Sequence, residues 1–340
     1  MNNQQRFATG AAVGFGAMLI GARLARSRHA ISFDGRVVVI TGGSRGLGLV
    51  MARMFADEGA RVVLLARDLD ELERARQDLE PRRGDVVTIR CDIRRRADVR
   101  AAIDQVMDRW HAIDVLVNNA GVIQVGPFDH MDLEDFENAM ATHFWGPLNL
   151  MLEVVPIMQH RMFGRIVNIA SIGGKIAVPH LTPYSASKFA LVGLSDGARA
   201  ELDHYGIRVT TVAPGLMRTG SPVNASFKGR HESEYAWFKL SSSIPGVTIS
   251  AERAARKILQ AARYGDPDLT ITPQARAAAA ANAVLPGVVA RAMMLVDRLL
   301  PGPTSANGNR VQRGRESESR WTPRIVTALT DKAAVANNEL

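Results

Sequence analysis

One cysteine, Cys91, stands in 340 residues, so no disulfide can close within the chain. No Cys/His cluster has the spacing of a metal site, and no metal is expected. Aromatic residues make up only 6%, and none is interleaved with a basic patch as in nucleic-acid recognition modules. The net charge of +8 therefore reads as a surface bias of scattered arginines among acids, and a nucleic-acid partner is not expected. No segment repeats with a period between 20 and 50 residues, which excludes a solenoid. No apolar run reaches the ~20 residues of an ordinary membrane-spanning helix.

The nearest approach to such a run is residues 7 to 22, within a first stretch of 33 residues that holds no acid. As a helix it is about 24 Å long, short against a ~30 Å hydrocarbon core, although Arg23 could snorkel. Arg23, Arg26 and Arg28 favour a cytoplasmic location for the downstream chain. A membrane anchor on a cytoplasmic catalytic domain is the expectation, and a flexible or docked helix in a soluble cytoplasmic protein is its rival. A cleaved signal peptide fits worse, because the small-residue cleavage pattern is poor and only Arg6 precedes the run.

With 46% hydrophobic and 22% charged residues, the chain has the composition of a globular protein with one good core. Short β-branched runs alternate with helical patterns. They begin at 36 (RVVVIT), 61 (RVVLLA), 85 (DVVTIR), 113 (IDVLVN), 165 (RIVNIA), 207 (IRVTTV) and 268 (DLTIT). This order predicts an α/β fold, a doubly wound parallel sheet of about seven strands with helices on both faces. Beyond it, Leu285, Val288, Ala292, Leu295 and Leu299 recur at helical spacing, which predicts an amphipathic helix within 274–301 with Pro286 in its first turn. The Arg, Ser, Asn and Gly content of 302–340 predicts a disordered tail.

The first strand runs into TGGSRGLG, residues 41–48, and then into a helix pattern. Gly42, Gly46 and Gly48 would permit a tight turn, a close approach of backbone to a pyrophosphate, and close packing of helix on strand. The helix N-terminus would attract the phosphates. Further on, Tyr184 and Lys188 stand four positions apart in TPYSASKFA, on one face of a helix. A tyrosine becomes a usable acid or base near neutrality if a neighbouring cation stabilises its phenolate. Taken alone, the pair also fits a solvated lysine one turn from a core tyrosine.

Glycines at 42, 46 and 48, NNAG at 118–121, Ser171 after the fifth strand, YSASK from 184 and APG at 213–215 together resemble the short-chain dehydrogenase/reductase family, over about residues 34–273. The resemblance implies a Rossmann domain and hydride transfer between a nicotinamide cofactor and a carbonyl or alcohol. It implies that Tyr184 exchanges the proton and that Lys188 lowers the Tyr184 pKa and bonds the nicotinamide ribose. Ser171 would hold the substrate oxygen. Gly42, Ser44, Arg45, Gly46, Leu47, Gly48, Asp92, Ile93, Asn118, Ala120, Gly121, Pro214, Gly215 and Thr219 would line the cofactor. Two readings stay open for Asp92, an adenine contact or a surface acid beginning a helix, and for Pro214 and Gly215, a loop over the nicotinamide or only a strand-ending turn; Asn118 could tie strands together beside the cofactor. A homodimer or homotetramer is the expected assembly.

A family member preferring NAD usually ends its second strand with an acid, whereas Ala66 stands here, followed by Arg67. With Arg45 in the glycine loop, two guanidinium groups could grip a 2′-phosphate, so NADP is expected over NAD, with Asp68 as the opposing feature. Residues 216–250 occupy the family's substrate segment, and Phe227, Tyr235, Trp237 and Phe238 could line an apolar pocket or pack the segment onto the core. A hydrophobic carbonyl or alcohol is the expected substrate. His143 is a departure: aligned on Gly146, it takes the place where the family usually has an asparagine holding a relay water. It is expected to act in catalysis as a proton shuttle, the rival reading being a core or helix-packing residue with the relay running through backbone carbonyls alone. A cofactor-binding sensor or scaffold without turnover is the rival function, and a sugar-nucleotide epimerase is disfavoured by the glycine spacing. Membrane contact, if any, would run through residues 1–33 and the amphipathic helix.

Overall fold

The computed structural model describes residues 26–244, 246–304, 308–318 and 324–340. The apolar run at 7–22 lies outside the described residues. Among them no helix is long and apolar enough to cross a membrane.

Seven strands form one parallel sheet: β1 (Val37–Thr41), β2 (Arg61–Ala66), β3 (Val86–Arg90), β4 (Val115–Asn118), β5 (Gly164–Ile169), β6 (Ile207–Pro214) and β7 (Asp268–Ile271). Each falls on one of the β-branched runs. Their order is β7-β6-β5-β4-β1-β2-β3, so the winding reverses between β1 and β4. In such sheets the ligand crevice opens beyond the strand C-termini at that reversal.

Both faces of the sheet are covered, which explains why the strands read as continuous apolar runs. Val38 and Ile40 of β1 meet Val62 and Leu64 of β2 on one face, beneath helices α1 (Gly46–Asp57) and α9 (Ala251–Tyr264). Val37, Val39, Val63 and Leu65 point to the opposite face. There they pack with Val99 and Ile103 of α3 (Arg96–Trp110) and with Leu150 and Val154 of α5 (Gly146–His160). The remaining helices are α2 (Leu69–Leu79), α4 (Leu133–Met140), α6 (Thr182–Leu202), the single turn α7 (Ser221–Asn224), α8 (His231–Ser241), α10 (Pro273–Val284), α11 (Pro286–Asp297) and α12 (Arg324–Ala336).

Two expectations are corrected, a single helix over 274–301 and a structureless tail. Residues 274–301 form two helices, because Leu285 precedes a proline and leaves the helical region (φ −129°, ψ 56°). The apolar stripe of α11 is not buried: Val288 and Leu295 are each about 60% exposed. The tail beyond Gly302 is also not structureless where it is described. Gln312–Arg313 pairs antiparallel with Ser226–Phe227, and α12 lies beyond it. Its Thr327, Thr330 and Ala334, spaced by three and four, are buried on one helical face. Thr330 bonds Ser243 (2.8 Å) and Asp331 pairs with Lys239 (2.9 Å). An average over the whole tail hides this short face, whose contacts are mostly polar.

Of the segment's aromatics, Phe227, Tyr235 and Phe238 are buried with Val125, Leu181 and Ala225, so they fasten the substrate segment to the core. Only Trp237 stays partly exposed there, its Nε1 donating to Glu234 (2.6 Å).

Candidate active site

The crevice begins where β1 turns into α1. Gly42 has φ +60°, and a Cβ there would come 2.9 Å from the Ala120 Cα. A Cβ on Gly48 would come 2.1 Å from the Gly42 carbonyl, so any side chain would push α1 off the turn. The N-terminus of α1 has no side-chain cap, which leaves first-turn N–H groups for an acceptor from elsewhere. These features fit the diphosphate of a dinucleotide.

Thr41 and Asn119 brace this turn. Thr41 Oγ1 accepts from the Asn119 and Ala120 amides (2.9 and 3.0 Å), and Asn119 Nδ2 donates to the Thr41 and Gly42 carbonyls (3.0 and 3.1 Å). Neither residue stood out in the sequence, although Asn119 lies inside NNAG. Asn118 Nδ2 donates across β4 and β5 to Asn168 (2.8 Å), which in turn donates to Ser195 of α6 (2.8 Å). The strand-tying role therefore has a definite geometry.

Ser171 comes just after β5 and caps the turn Ile172–Gly174, its Oγ accepting from the Gly173 amide (3.0 Å). Tyr184 and Lys188 project from the same face of α6, with the Lys188 Nζ 5.7 Å from the Tyr184 ring centre. Lys188 is buried and donates to the Ile169 carbonyl (2.8 Å). A Cβ on Gly173 would sit 3.1 Å from Tyr184 Cε1, and one on Gly174 would sit 2.7 Å from the Lys188 carbonyl. These glycines let α6 approach Ser171, a demand invisible without the tertiary contact.

Burial raises the Tyr184 pKa, and the hydrogen bond with Ser171 opposes the rise. Burial also brings the Lys188 ammonium from 10.5 down to about 7. The tyrosine of the protein alone is thus not shifted downward, contrary to the expectation from its lysine neighbour. Lys188 is instead the group that changes charge near neutrality.

His143 lies in a π-helical turn, Ala141–Trp145, a local irregularity often found at functional sites. Its ring meets that of Tyr184 edge-on at 5.4 Å. Nε2 accepts from the Val122 amide (3.1 Å), so the proton lies on Nδ1, which donates to Ser187 Oγ (2.7 Å). Ser187 then donates to the Tyr184 carbonyl (2.8 Å). Burial, helped by the charge of Lys188, holds the His143 pKa well below 6.5. The proton-shuttle expectation does not fit this geometry: both nitrogens are taken by protein groups and the ring is held neutral.

The residues expected at a cofactor's adenosine end are less uniform. Arg45 pairs with Glu71 (2.7 Å), to which Ser44 Oγ also donates (2.9 Å). Arg67 presents an exposed side chain. Asp68 caps α2 by accepting from the Glu71 amide (2.9 Å), which occupies the acid that opposed NADP. Asp92 is held by Arg94 (2.6 Å) and accepts from its amide (3.1 Å), nearer the helix-approach reading than an adenine contact. Leu47 and Ile93 are buried, and Gly121 lies against His143. Pro214 ends β6, Gly215 packs against Thr272, and Thr219 Oγ1 bonds Ser221 Oγ (2.7 Å).

Residues 36–227 match the family profile described as short chain dehydrogenase. A dehydrogenase/reductase SDR family protein 7-like of Anopheles gambiae is 35% identical over 257 residues, covering 74% of this chain and 80% of that one. A metagenomic short-chain oxidoreductase solved in complex with NADP is 36% identical, with a TM-score of 0.53 over 56% of this chain and 86% of that one. L-Sorbose reductase from Gluconobacter frateurii, solved with NADPH and L-sorbose, is 26% identical, with a TM-score of 0.64 over 71% of this chain and 97% of that one.

Proposed function

The chain belongs to the short-chain dehydrogenase/reductase family and is an oxidoreductase of it, and we propose that it interconverts a hydrophobic carbonyl compound and its alcohol with NADP(H). The observation that carries this reading is the convergence of Ser171, Tyr184 and Lys188 in a chain whose α1 begins at a glycine turn shaped for a diphosphate. When bound, the dihydronicotinamide supplies hydride to the carbonyl carbon. Tyr184 Oη gives its proton to the carbonyl oxygen, and Ser171 Oγ donates a hydrogen bond to the same oxygen. The Lys188 ammonium offsets the charge left on the phenolate. Ile123, Val178 and Trp237 lie partly exposed on the apolar cluster that includes Tyr184, which supports an apolar substrate. Absorbance at the reduced nicotinamide band, with NADPH or NADH and a panel of hydrophobic aldehydes and ketones, tests the proposal. Absence of binding by both cofactors, in every form of the chain that leaves the glycine turn open, would exclude it.

The NADP preference rests on Arg45 and Arg67, and the two NADP-bound relatives support it. Arg45→Ala and Arg67→Ala are each expected to weaken NADPH more than NADH, because only NADPH carries the 2′-phosphate. One lost charge-assisted contact costs about 1.5 to 3 kcal/mol, roughly a tenfold to hundredfold change in Kd. Parallel titrations with the two nucleotides read the difference, and equal losses would remove the assignment.

His143 is assigned a positioning role, clamping the 119–122 loop to α6. His143→Ala is expected to lower kcat about tenfold or more by loosening Tyr184, with the pH profile unmoved because the native ring carries no titrating proton. A profile changed between about pH 5 and 8 would restore the shuttle.

A further inference from the structure

We propose that the segment Asn337–Glu339 is an intramolecular occupant of the dinucleotide's diphosphate site, and that it must leave before either nicotinamide cofactor can bind. The inference rests on the cofactor reading above.

The segment lies across the uncapped end of α1. The Gly46 amide donates to the Asn337 carbonyl (2.9 Å), which takes a first-turn N–H group that a phosphate oxygen would use. Glu339 Oε1 is 3.0 Å from where a Cβ on Gly46 would stand, so its carboxyl group rests against the glycine turn. Oε2 of the same group accepts from the Gly220 amide (2.6 Å). The segment thus bridges the glycine turn and the loop after β6, the two stretches that would flank a dinucleotide. A carboxylate and a phosphate present similar acceptor oxygens to backbone N–H donors.

Around this pair the segment is fastened from several sides. Asn338 Nδ2 donates to the Ser44 and Glu71 carbonyls (2.9 and 3.2 Å), and Asn224 Nδ2 donates to the Glu339 carbonyl (2.9 Å). Arg53, about two turns further along α1, donates to Asn337 Oδ1 (2.7 Å) and to the Ala336 carbonyl (2.8 Å). Asn337 and Glu339 are both nearly inaccessible to solvent. Side chain and main chain therefore fill the groove together, and a dinucleotide cannot share it.

The occupant is nevertheless held below its potential strength. Burial pushes the Glu339 carboxyl up to about 7, against the Gly220 hydrogen bond and the attraction of Arg45, while Glu71 adds repulsion. A diphosphate stays charged at neutral pH and would use the same donors more fully. That difference makes the segment displaceable rather than a permanent plug.

The test is fluorescence titration of the full chain with NADPH and with NADH, beside Glu339→Ala and Arg53→Ala. Arg53 touches the segment away from the groove, so its variant loosens the occupant without altering the cofactor's donors. If the docked form holds about nine-tenths of the molecules, release should tighten Kd by about tenfold. Both nucleotides should gain equally, since both carry the diphosphate, unlike the selective effect at Arg45 and Arg67. A synthetic peptide of residues 331–340, added to Glu339→Ala, should weaken nucleotide binding again. Unchanged or weaker binding in both variants overturns the proposal while leaving the cofactor reading intact. Failure of the full chain and both variants to bind either nucleotide sinks the cofactor reading and this inference with it. Thermal melts of both variants identify one that has lost its fold, and the other then decides.

Discussion

Tyr184→Phe is expected to lower kcat by about a thousandfold, with NADPH and NADH binding within a few-fold of the native protein. The substitution deletes one hydroxyl from a ring whose other contacts persist. The ring still meets His143 edge-on and still rests against Gly173, so α6 has no reason to move. What goes is the proton donor and the hydrogen bond with Ser171. Burial keeps the phenol protonated, which suits an acid in carbonyl reduction and requires a base-assisted path for alcohol oxidation. Steady-state rates together with nucleotide titrations separate the two effects. A variant that turns over like the native protein would show that another group supplies the proton.

Lys188→Met should damage both turnover and cofactor binding, by about a hundredfold in kcat/KM, because the lysine serves the phenolate and the ribose alike. Its buried ammonium also makes a signed prediction about pH. The folded pKa lies at about 7, below the 10.5 of a free lysine, so the unfolded chain binds more protons between those values. Stability should rise with pH across that window, and the penalty of burying the charge is complete below about pH 7. Replacing Lys188 by Met removes that penalty, so the denaturation midpoint at pH 7 should rise and its increase toward pH 10 should flatten. Reduction by the native protein should correspondingly slow as pH rises through about 7, where the cation is lost. Native-like turnover in Lys188→Met, or a denaturation midpoint with the same pH dependence, would take Lys188 out of this role.

The two outcomes depend on features of different legibility. Tyr184, Lys188 and Ser171 could be picked out because their types and order are characteristic, yet their separation from one another depends on Gly173 and Gly174, which only the packing of α6 against the turn explains. His143 was visible as a departure at a known place. Its two hydrogen-bond partners, Val122 and Ser187, come from separate elements, and no spacing rule connects them. The same holds for Asp68, whose carboxylate could face a ribose or a helix end until α2 is seen to start there.

By itself the sequence determined the seven strands, their parallel arrangement and the place of the glycine turn. Each comes from local demands: strands buried on both faces need continuous β-branched runs, and a turn against a helix end needs residues without a Cβ. Tertiary structure alone decided that Phe227, Tyr235 and Phe238 pack inward, that the α11 stripe stays outside, and that Asn337–Glu339 lies across the start of α1. Composition cannot foresee such contacts, because Glu339 and Gly46 are nearly 300 residues apart and their meeting depends on how every intervening element packs.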